Sequence, residues 1–365
     1  MMHALFPRSL SLAVGFWVLM ASLPSVVRAA DSDKLLPAEL NASTQRSTSS
    51  MGWSGAADSD KLLPAESEVV IQINYKQILE SELIKKYALE QMKQALESQA
   101  EVKNVLNELG LDPFKDIHRI VIAGEMKSGE EGRALIIGYG NFDPEKLFAA
   151  AEAYSKKNPD TFSLIRDGEI IMFKVQPENG QMPLYATVLD DKTVIAGSDK
   201  KIVQDAIAAA KGNKRPRIKP ELAALLKKMD EKASISACAL VKGKLDDVNI
   251  PPGAPVDLTK FQDLLPKMET MSMTLRIGKD IKLEMSMGMA NDDAADEMSK
   301  AVKNLLNDVK PLLQLAVAAD PRTKPLTDVV NSIKVNSKSK EVILTGEISE
   351  ANIQRMIKPD DDGGR

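Results

Sequence analysis

Val69-Val70-Ile71-Gln72-Ile73-Asn74-Tyr75 is the stretch of this 365-residue chain that decides its fold. Val69, Ile71 and Ile73 alternate with Val70 and Gln72, which is the two-residue period of a half-buried β-strand. Two patterns of apolar residues at helical spacing follow directly, at residues 78–96 and 102–109, and predict two helices. A folded body that mixes strands and helices is therefore expected from about residue 68.

Beyond this start, the chain alternates pairs of strands with helices. Strands are predicted at 117–123 and 133–139, and hairpin turns at 166–168, 190–192 and 278–280. Asp143-Pro144 combines an N-cap with proline at the first helical position, and a long helix is expected from Asp292. The pattern predicts an α+β fold of two similar halves, each mainly antiparallel hairpins with packed helices.

The N-terminus has the three-part layout of a secretory signal peptide. Arg8 precedes a short apolar run, and Val27 and Ala29 are the small residues of a cleavage site. Cleavage is expected after Ala29, with Ala30 as the alternative. The apolar run is shorter than the roughly 20 residues that span a bilayer, so an uncleaved anchor is disfavoured.

An eleven-residue segment occurs twice near the mature N-terminus. Residues 29–39 and 56–66 are identical, with the sequence AADSDKLLPAE, and a Ser, Thr and Gly-rich stretch separates them. We interpret the first copy and its spacer as a local duplication. The predicted organisation is a signal peptide at 1–29, a disordered arm at 30–67, lobes at 68–212 and 220–357 joined by a basic linker at 213–219, and an acidic tail at 358–365.

Charge and cysteine content exclude several classes of protein. Cleavage would remove Arg8 and Arg28, so 46 basic residues would face 52 acidic ones, a net charge of −6. A general nucleic-acid binder carries the opposite balance. The single cysteine, Cys238, cannot form an intrachain disulfide. After signal cleavage, no other segment is long and apolar enough to be expected to span a membrane.

Short stretches resemble one group of known proteins. Leu62-Leu63-Pro64-Ala65-Glu66 before the first strand is similar to the opening of exported bacterial proteins of unknown function that carry a Leu-Pro-Ala turn there. Gly110-Leu111-Asp112-Pro113 and the strand at 342–347 look similar too. The resemblance implies an exported α+β protein and assigns no activity.

The residues needed for several kinds of catalysis are scarce. After cleavage the only histidine is His118 and the only thiol is Cys238, which are interpreted as a surface or sheet-edge residue and a buried filler. Glycine clusters at 124–129 and 138–140 lack the pattern of phosphate-binding loops. No cofactor is predicted, and a catalytic role is disfavoured without being excluded.

Methionine is the one unusual local feature. Met271, Met273, Met285, Met287 and Met289 alternate along one hairpin and are expected to share one sheet face. Thioethers can bind Cu(I) or form a pliable apolar surface for a ligand. The competing interpretation is that this face packs under the helix that starts at Asp292.

These observations favour an exported, non-enzymatic binding or structural protein, located in the periplasm or outside the cell. Its partner would be another protein, a polymer or a small apolar ligand. A hydrolase that uses only carboxylates and a methionine-based Cu(I) carrier are the alternatives. A run of basic residues at the linker is interpreted as exposed to solvent, and contact with an anionic surface is the alternative. The run consists of Lys211, Lys214, Arg215, Arg217 and Lys219.

Overall fold

The computed structural model describes residues 61–127, 132–168, 170–176, 183–212, 217–246, 248, 258–319 and 323–357. The predicted signal peptide, residues 30–60 of the predicted arm, the acidic tail and residues 213–216 of the linker lie outside the described residues. The described chain is a mixed α+β fold built on one antiparallel sheet. The prediction of the α+β class is confirmed.

Twelve strands of the described chain form a single sheet. Their order across the sheet is β11-β12-β10-β9-β8-β1-β2-β3-β7-β6-β5-β4. The strands are β1 Val69–Ile73, β2 Ile117–Gly124, β3 Ala134–Gly140, β4 Phe162–Asp167, β5 Ile170–Val175, β6 Leu184–Val188, β7 Thr193–Gly197, β8 Ile235–Leu240, β9 Met268–Ile277, β10 Ile281–Met289, β11 Lys334–Lys338 and β12 Glu341–Ile348.

The central strand β1 joins the two parts of the sheet. Ile71 lies opposite Ile122 of β2 on one side and Ala237 of β8 on the other, and both pairings are antiparallel. Both predicted lobes therefore contribute strands to the same sheet. The similarity of the two halves stays a prediction, because a shared sheet does not establish a repeat.

The described helices lie between the strands in sequence, except the last one, which follows β12, and they pack on both faces of the sheet. The described helices are α1 Tyr75–Glu80, α2 Glu82–Tyr87, α3 Leu89–Ser98, α4 Ala100–Leu109, α5 Pro113–Asp116, α6 Pro144–Lys157, α7 Lys200–Ala210, α8 Pro220–Leu226, α9 Thr259–Leu264, α10 Asp292–Ala319, α11 Lys324–Ser332 and α12 Glu350–Ile357.

The two faces of the sheet carry different helices. Directly opposed residues of antiparallel strands point to the same face. The face that carries Ile71 and Ile122, called the front face, is covered by α6 towards β4 and by α10 towards β11. The back face carries Val70 and Cys238, and α7 and α8 bury their apolar residues against it.

The first described residues are already part of the core. Leu62 and Leu63 are buried with the apolar residues of the back face, and Leu63 is 1% exposed. The backbone turns at Pro64, whose carbonyl accepts a hydrogen bond from the Ser67 amide at 3.0 Å. The folded body therefore starts before residue 68, and the second copy of the duplicated segment contributes to it.

Several helix boundaries follow from local hydrogen bonds. The Asp143 carboxylate accepts from the Lys146 amide at 3.2 Å, as expected for the N-cap of α6. A single helical pattern was expected between residues 78 and 96, but the chain forms α1, α2 and α3 there. The Ser81 hydroxyl accepts from the Ile84 amide at 3.3 Å and starts a new helix, which the apolar spacing alone does not indicate.

Replacing Leu63 with alanine tests whether the second copy of the duplicated segment holds the core together. We expect Leu63→Ala to lower the free energy of unfolding by about 2–5 kcal/mol, because the variant leaves a cavity beneath α7 and α8. Urea unfolding measures this change. The matched control is Leu36→Ala in the identical first copy, which should leave the midpoint unchanged because only one copy can fill this place. Equal losses from both variants would contradict the assignment.

Candidate functional site

An apolar cavity lies on the front face of the sheet. It lies between strands β2 to β7 and the helices α3, α4, α5 and α6, and its volume is about 470 Å³. That volume is within the range of roughly 300–1,000 Å³ typical of sites for small ligands. The cavity is therefore the candidate functional site.

Small side chains form the floor of the cavity. Gly138 of β3, Ala186 of β6 and Ala196 of β7 lie side by side on the front face, with Ile136 and Val194 among them. A side chain at Gly138 would meet the Cγ2 atom of its cross-strand neighbour Val194 at 2.8 Å, so glycine leaves room for the Val194 side chain at this point. The space above these small side chains is not filled by the helices on the front face, and it forms the cavity.

Helices α6, α3 and α4 form the roof. The apolar face of α6 contributes Leu147, Ala150, Ala151 and Tyr154, and its opposite face is exposed at Ala149. The hairpin of α3 and α4, residues 89–109, adds four more aliphatic side chains, those of Met92, Leu96, Leu106 and Leu109. The helical spacing of these four residues predicts a buried face, and in the structure that face forms part of the cavity wall.

Aromatic rings close the end of the cavity at the edge of the sheet. The ring centroids of Phe162 and Phe173 are 6.0 Å apart, and those of Phe148 and Phe173 are 5.4 Å apart. Tyr154 meets Phe162 edge-on at 5.3 Å. Aromatic pairs at these separations attract each other, so this cluster fixes α6 to β4 and β5.

The polar groups on the wall are few and uncharged. None of the described residues that line the cavity is Asp, Glu, Lys, Arg or His. Thr187 lies opposite Ile195 of the back-face core, so its hydroxyl points away from the cavity and donates to the Ile171 carbonyl at 2.7 Å. Burial, together with the nearby Asp112, raises the pKa of Tyr75 to about 12, so its hydroxyl stays neutral. The wall therefore offers no charge to a bound molecule.

Helix α3 is the least buried part of the roof. None of its residues is buried, and Ala95 and Gln99, which line the cavity, are both exposed. Its main neighbours are α2 and α4. The cavity therefore reaches the surface along α3, at the bend where Gln99 separates α3 from α4.

His118 and Cys238 lie apart from the cavity. His118 is half-buried at an irregularity of β2, and its Nε2 atom is 3.4 Å from the Asn141 side-chain amide. Burial lowers the pKa of His118, and Lys76 adds to this effect, so the imidazole is mainly neutral at neutral pH. Cys238 is a buried, unoxidised thiol in the back-face core, where it packs as a small apolar residue.

The structure divides the five methionines into two groups. Met271 lies opposite Met287, and Met273 lies opposite Met285, so these four share the front face. Met287 and Met289 are buried against α10, and Met271 packs at the edge of the same cluster. Met273 and Met285 are half-buried and lie outside that cluster. Packing under α10 accounts for three of the five, and the metal interpretation stays a prediction.

Two carboxylates that are largely buried form ion pairs. Glu68 contacts Lys219 at 2.8 Å and Lys244 at 3.1 Å, and Glu125 contacts Arg133 at 2.7 Å. Burial alone would raise the pKa of Glu68 and of Glu125, but hydrogen bonds from their basic partners outweigh it and lower both values. A general acid needs the opposite shift, so neither residue suits the role of the acid in a carboxylate-based hydrolase.

The remaining sequence motifs have structural explanations. Gly138 and Gly140 belong to β3, and a side chain at Gly140 would collide with the Asp116 carbonyl. Residues 128 and 129 of the first glycine cluster lie outside the described chain. Lys219, at the end of the basic run, pairs with Glu68, so part of this run anchors the chain to the first strand.

Comparisons with known proteins add no further assignment. The chain matches no protein-family profile, no curated protein and no solved structure. Across the described ranges, no helix has the length and apolar character of a membrane span. Nor do His, Cys, Asp and Glu side chains of these ranges gather in threes to hold a metal ion.

The sequence analysis identified a small apolar ligand as one kind of partner but did not locate the cavity. The residues that could have indicated the cavity are Gly138, Ala186 and Ala196 on three strands, together with two amphipathic helices. These three residues lie on strands that are neighbours only in the folded sheet, because β7 inserts between β3 and β6. Periodicity within one segment cannot show that they meet.

Ionisation of Glu68 should make stability depend on pH. Its pKa is lower in the folded than in the unfolded chain, so its contribution is present above the unfolded pKa and is lost as the pH falls through the folded value. We expect Glu68→Gln to destabilise the protein at neutral pH and much less at about pH 3. Urea unfolding at both pH values tests this, with the exposed neighbour Glu66→Gln as control. A constant difference across pH would contradict the ion-pair role.

Proposed function

We propose that this chain is an exported, non-enzymatic protein that binds a small apolar ligand in the cavity of its front face. The observation that carries the proposal is the chemistry of the wall, which is aliphatic and aromatic over almost its whole extent. Burial of apolar surface stabilises a complex by roughly 25 cal/mol per Å². An apolar ligand thus gains affinity from every group that leaves water.

The same wall disfavours catalysis at this place. Acid–base and nucleophilic chemistry needs ionisable or nucleophilic groups that reach the reacting atoms. The described lining residues provide two tyrosines and one glutamine, while the hydroxyl of the one threonine, Thr187, lies on the opposite face of the sheet and donates to a backbone carbonyl. These groups can orient a ligand, but they form no acid–base pair.

Export is the second part of the proposal and rests on the sequence. The N-terminal layout of a signal peptide supports export of the chain to the periplasm or to the outside of the cell. An apolar compound needs a carrier or a receptor in such an aqueous compartment, because water is a poor solvent for it.

Filling the cavity from α6 tests the binding function. We expect Ala150→Phe to lower the affinity for the neutral apolar dye N-phenyl-1-naphthylamine by about tenfold or more, because the ring occupies space that the dye needs. Fluorescence titration of the purified protein measures the dissociation constant.

Ala149→Phe is the matched control for this experiment. It makes the same substitution on the same helix at an exposed position, and we expect the dissociation constant to stay within about twofold of the parent value. Thermal unfolding of both variants shows whether the fold is intact. Equal affinity of the two variants, or no dye binding by the parent, would refute the cavity as a binding site.

Export can be tested at the N-terminus of the protein. When the full chain is expressed in a bacterium with an intact secretion pathway, we expect the protein recovered outside the cytoplasm to begin at Ala30. Mass spectrometry of the intact protein measures this. Changing Ala29 to a large residue should block cleavage there, and a secreted product that still begins at Met1 would overturn the assignment.

A further inference from the structure

The shape of the cavity narrows the class of ligand. Its lining residues come from six consecutive strands of the sheet, from Ile120 on β2 through Ala196 on β7 to Phe162 on β4. Neighbouring strands lie about 4.8 Å apart, so the floor extends across about 24 Å. On β6 the lining extends from Leu184 to Val188, which is only about 14 Å along the strand, so the cavity of about 470 Å³ is elongated across the sheet. Such a shape suits a chain better than a compact ring system.

The chemistry of the wall indicates where a polar group of the ligand must lie. The described lining residues carry no charge that could pair with a carboxylate, a phosphate or an ammonium group. Burying an unpaired charge is strongly unfavourable. A charged group on the ligand must therefore stay at the surface while the apolar part enters.

The exposed end of the wall provides a place for such a group. Gln99 lines the cavity and is exposed at the bend between α3 and α4, and its side chain can both donate and accept hydrogen bonds. Because α3 has no buried residue, a ligand can pass beneath it without opening the packed back face of the sheet.

We propose that the ligand is an amphiphile with a single long hydrocarbon chain, which lies in the cavity while its polar head stays at Gln99. This inference rests on the proposed apolar-ligand function and adds the chemical class of the ligand and its direction. A free fatty acid and a lysophospholipid share this chemistry and differ only in the head that remains outside.

A series of saturated fatty acids of increasing length tests the class of ligand. Below the critical micelle concentration, displacement of N-phenyl-1-naphthylamine should strengthen about fourfold for each added CH₂ group until the chain fills the cavity, and then level off. Replacing the carboxylate by a phosphocholine or a trimethylammonium head should change the affinity by no more than about fivefold, because an exposed charge contributes little.

Two lysine variants, one within α3 and one at the residue that follows it, test whether the polar head of the ligand lies at Gln99. Gln99→Lys should favour the carboxylate head over the trimethylammonium head by about two- to fivefold, because the new charge lies beside the head. Gln94→Lys adds the same charge at an exposed position of α3 that does not line the cavity, and it should change this ratio less. Equal effects of both variants would overturn the placement of the head at Gln99.

The outcomes separate this inference from the function on which it rests. If the dye binds at the cavity but affinity shows no dependence on chain length, or a fused-ring ligand such as a sterol binds more tightly than every chain, the amphiphile class is wrong and the apolar site stands. If neither the dye nor any chain binds, both proposals fail. A carboxylate that binds more tightly than every other head by far more than fivefold would show a buried charge partner and would also overturn the inference.

Discussion

The structure depends on the hydrogen bonding of β1 along both of its edges. Its neighbours are β2, which is the next strand in sequence, and β8, more than a hundred residues later. Glu68 extends both pairings, because its amide donates to the Gly124 carbonyl at 2.7 Å and its carbonyl accepts from the Leu240 amide at 2.8 Å. The same residue pairs with Lys219 and Lys244. The entrance to β1 therefore joins the backbone of both parts of the sheet and the linker between them.

The two faces of this sheet use glycine and alanine in opposite ways. On the back face, Gly197 allows α7 to approach so closely that a side chain there would collide with Ile202 and meet Val203 Cγ2 at 2.9 Å. The result is a close-packed core. On the front face, Gly138, Ala186 and Ala196 lie beneath α6, which the aromatic cluster at Phe173 holds in place. Small residues beneath α6 leave a cavity on the front face, whereas on the back face α7 fills the space above Gly197.

The sequence predicts the elements of this fold better than their arrangement. The strands β2 and β3, the turn at 278–280 and the N-cap Asp143 all follow from patterns within a few residues, and the structure has them. The break at Ser81 was missed, because a hydroxyl that accepts an amide hydrogen bond can start a helix within an unbroken apolar pattern. The cavity was missed for a different reason. Its floor and its roof are brought together only by the order of the strands, which no local pattern encodes.

The methionine hairpin shows how a local pattern is divided by tertiary contacts. The register places Met271, Met273, Met285 and Met287 on one face, as the alternation predicted. Helix α10 then covers only the end of the hairpin near Met289, where its residues Ala295 and Met298 pack. Small alanines bring α10 close to the sheet, and flexible thioethers fill the irregular space beneath it. Met273 and Met285 lie nearer the centre of the sheet, beyond this contact, and remain half-buried. The five residues form one sequence motif, but the fold gives three of them a packing role that has no need of a metal, so any soft-metal site would depend on the remaining pair and Met271 at its edge.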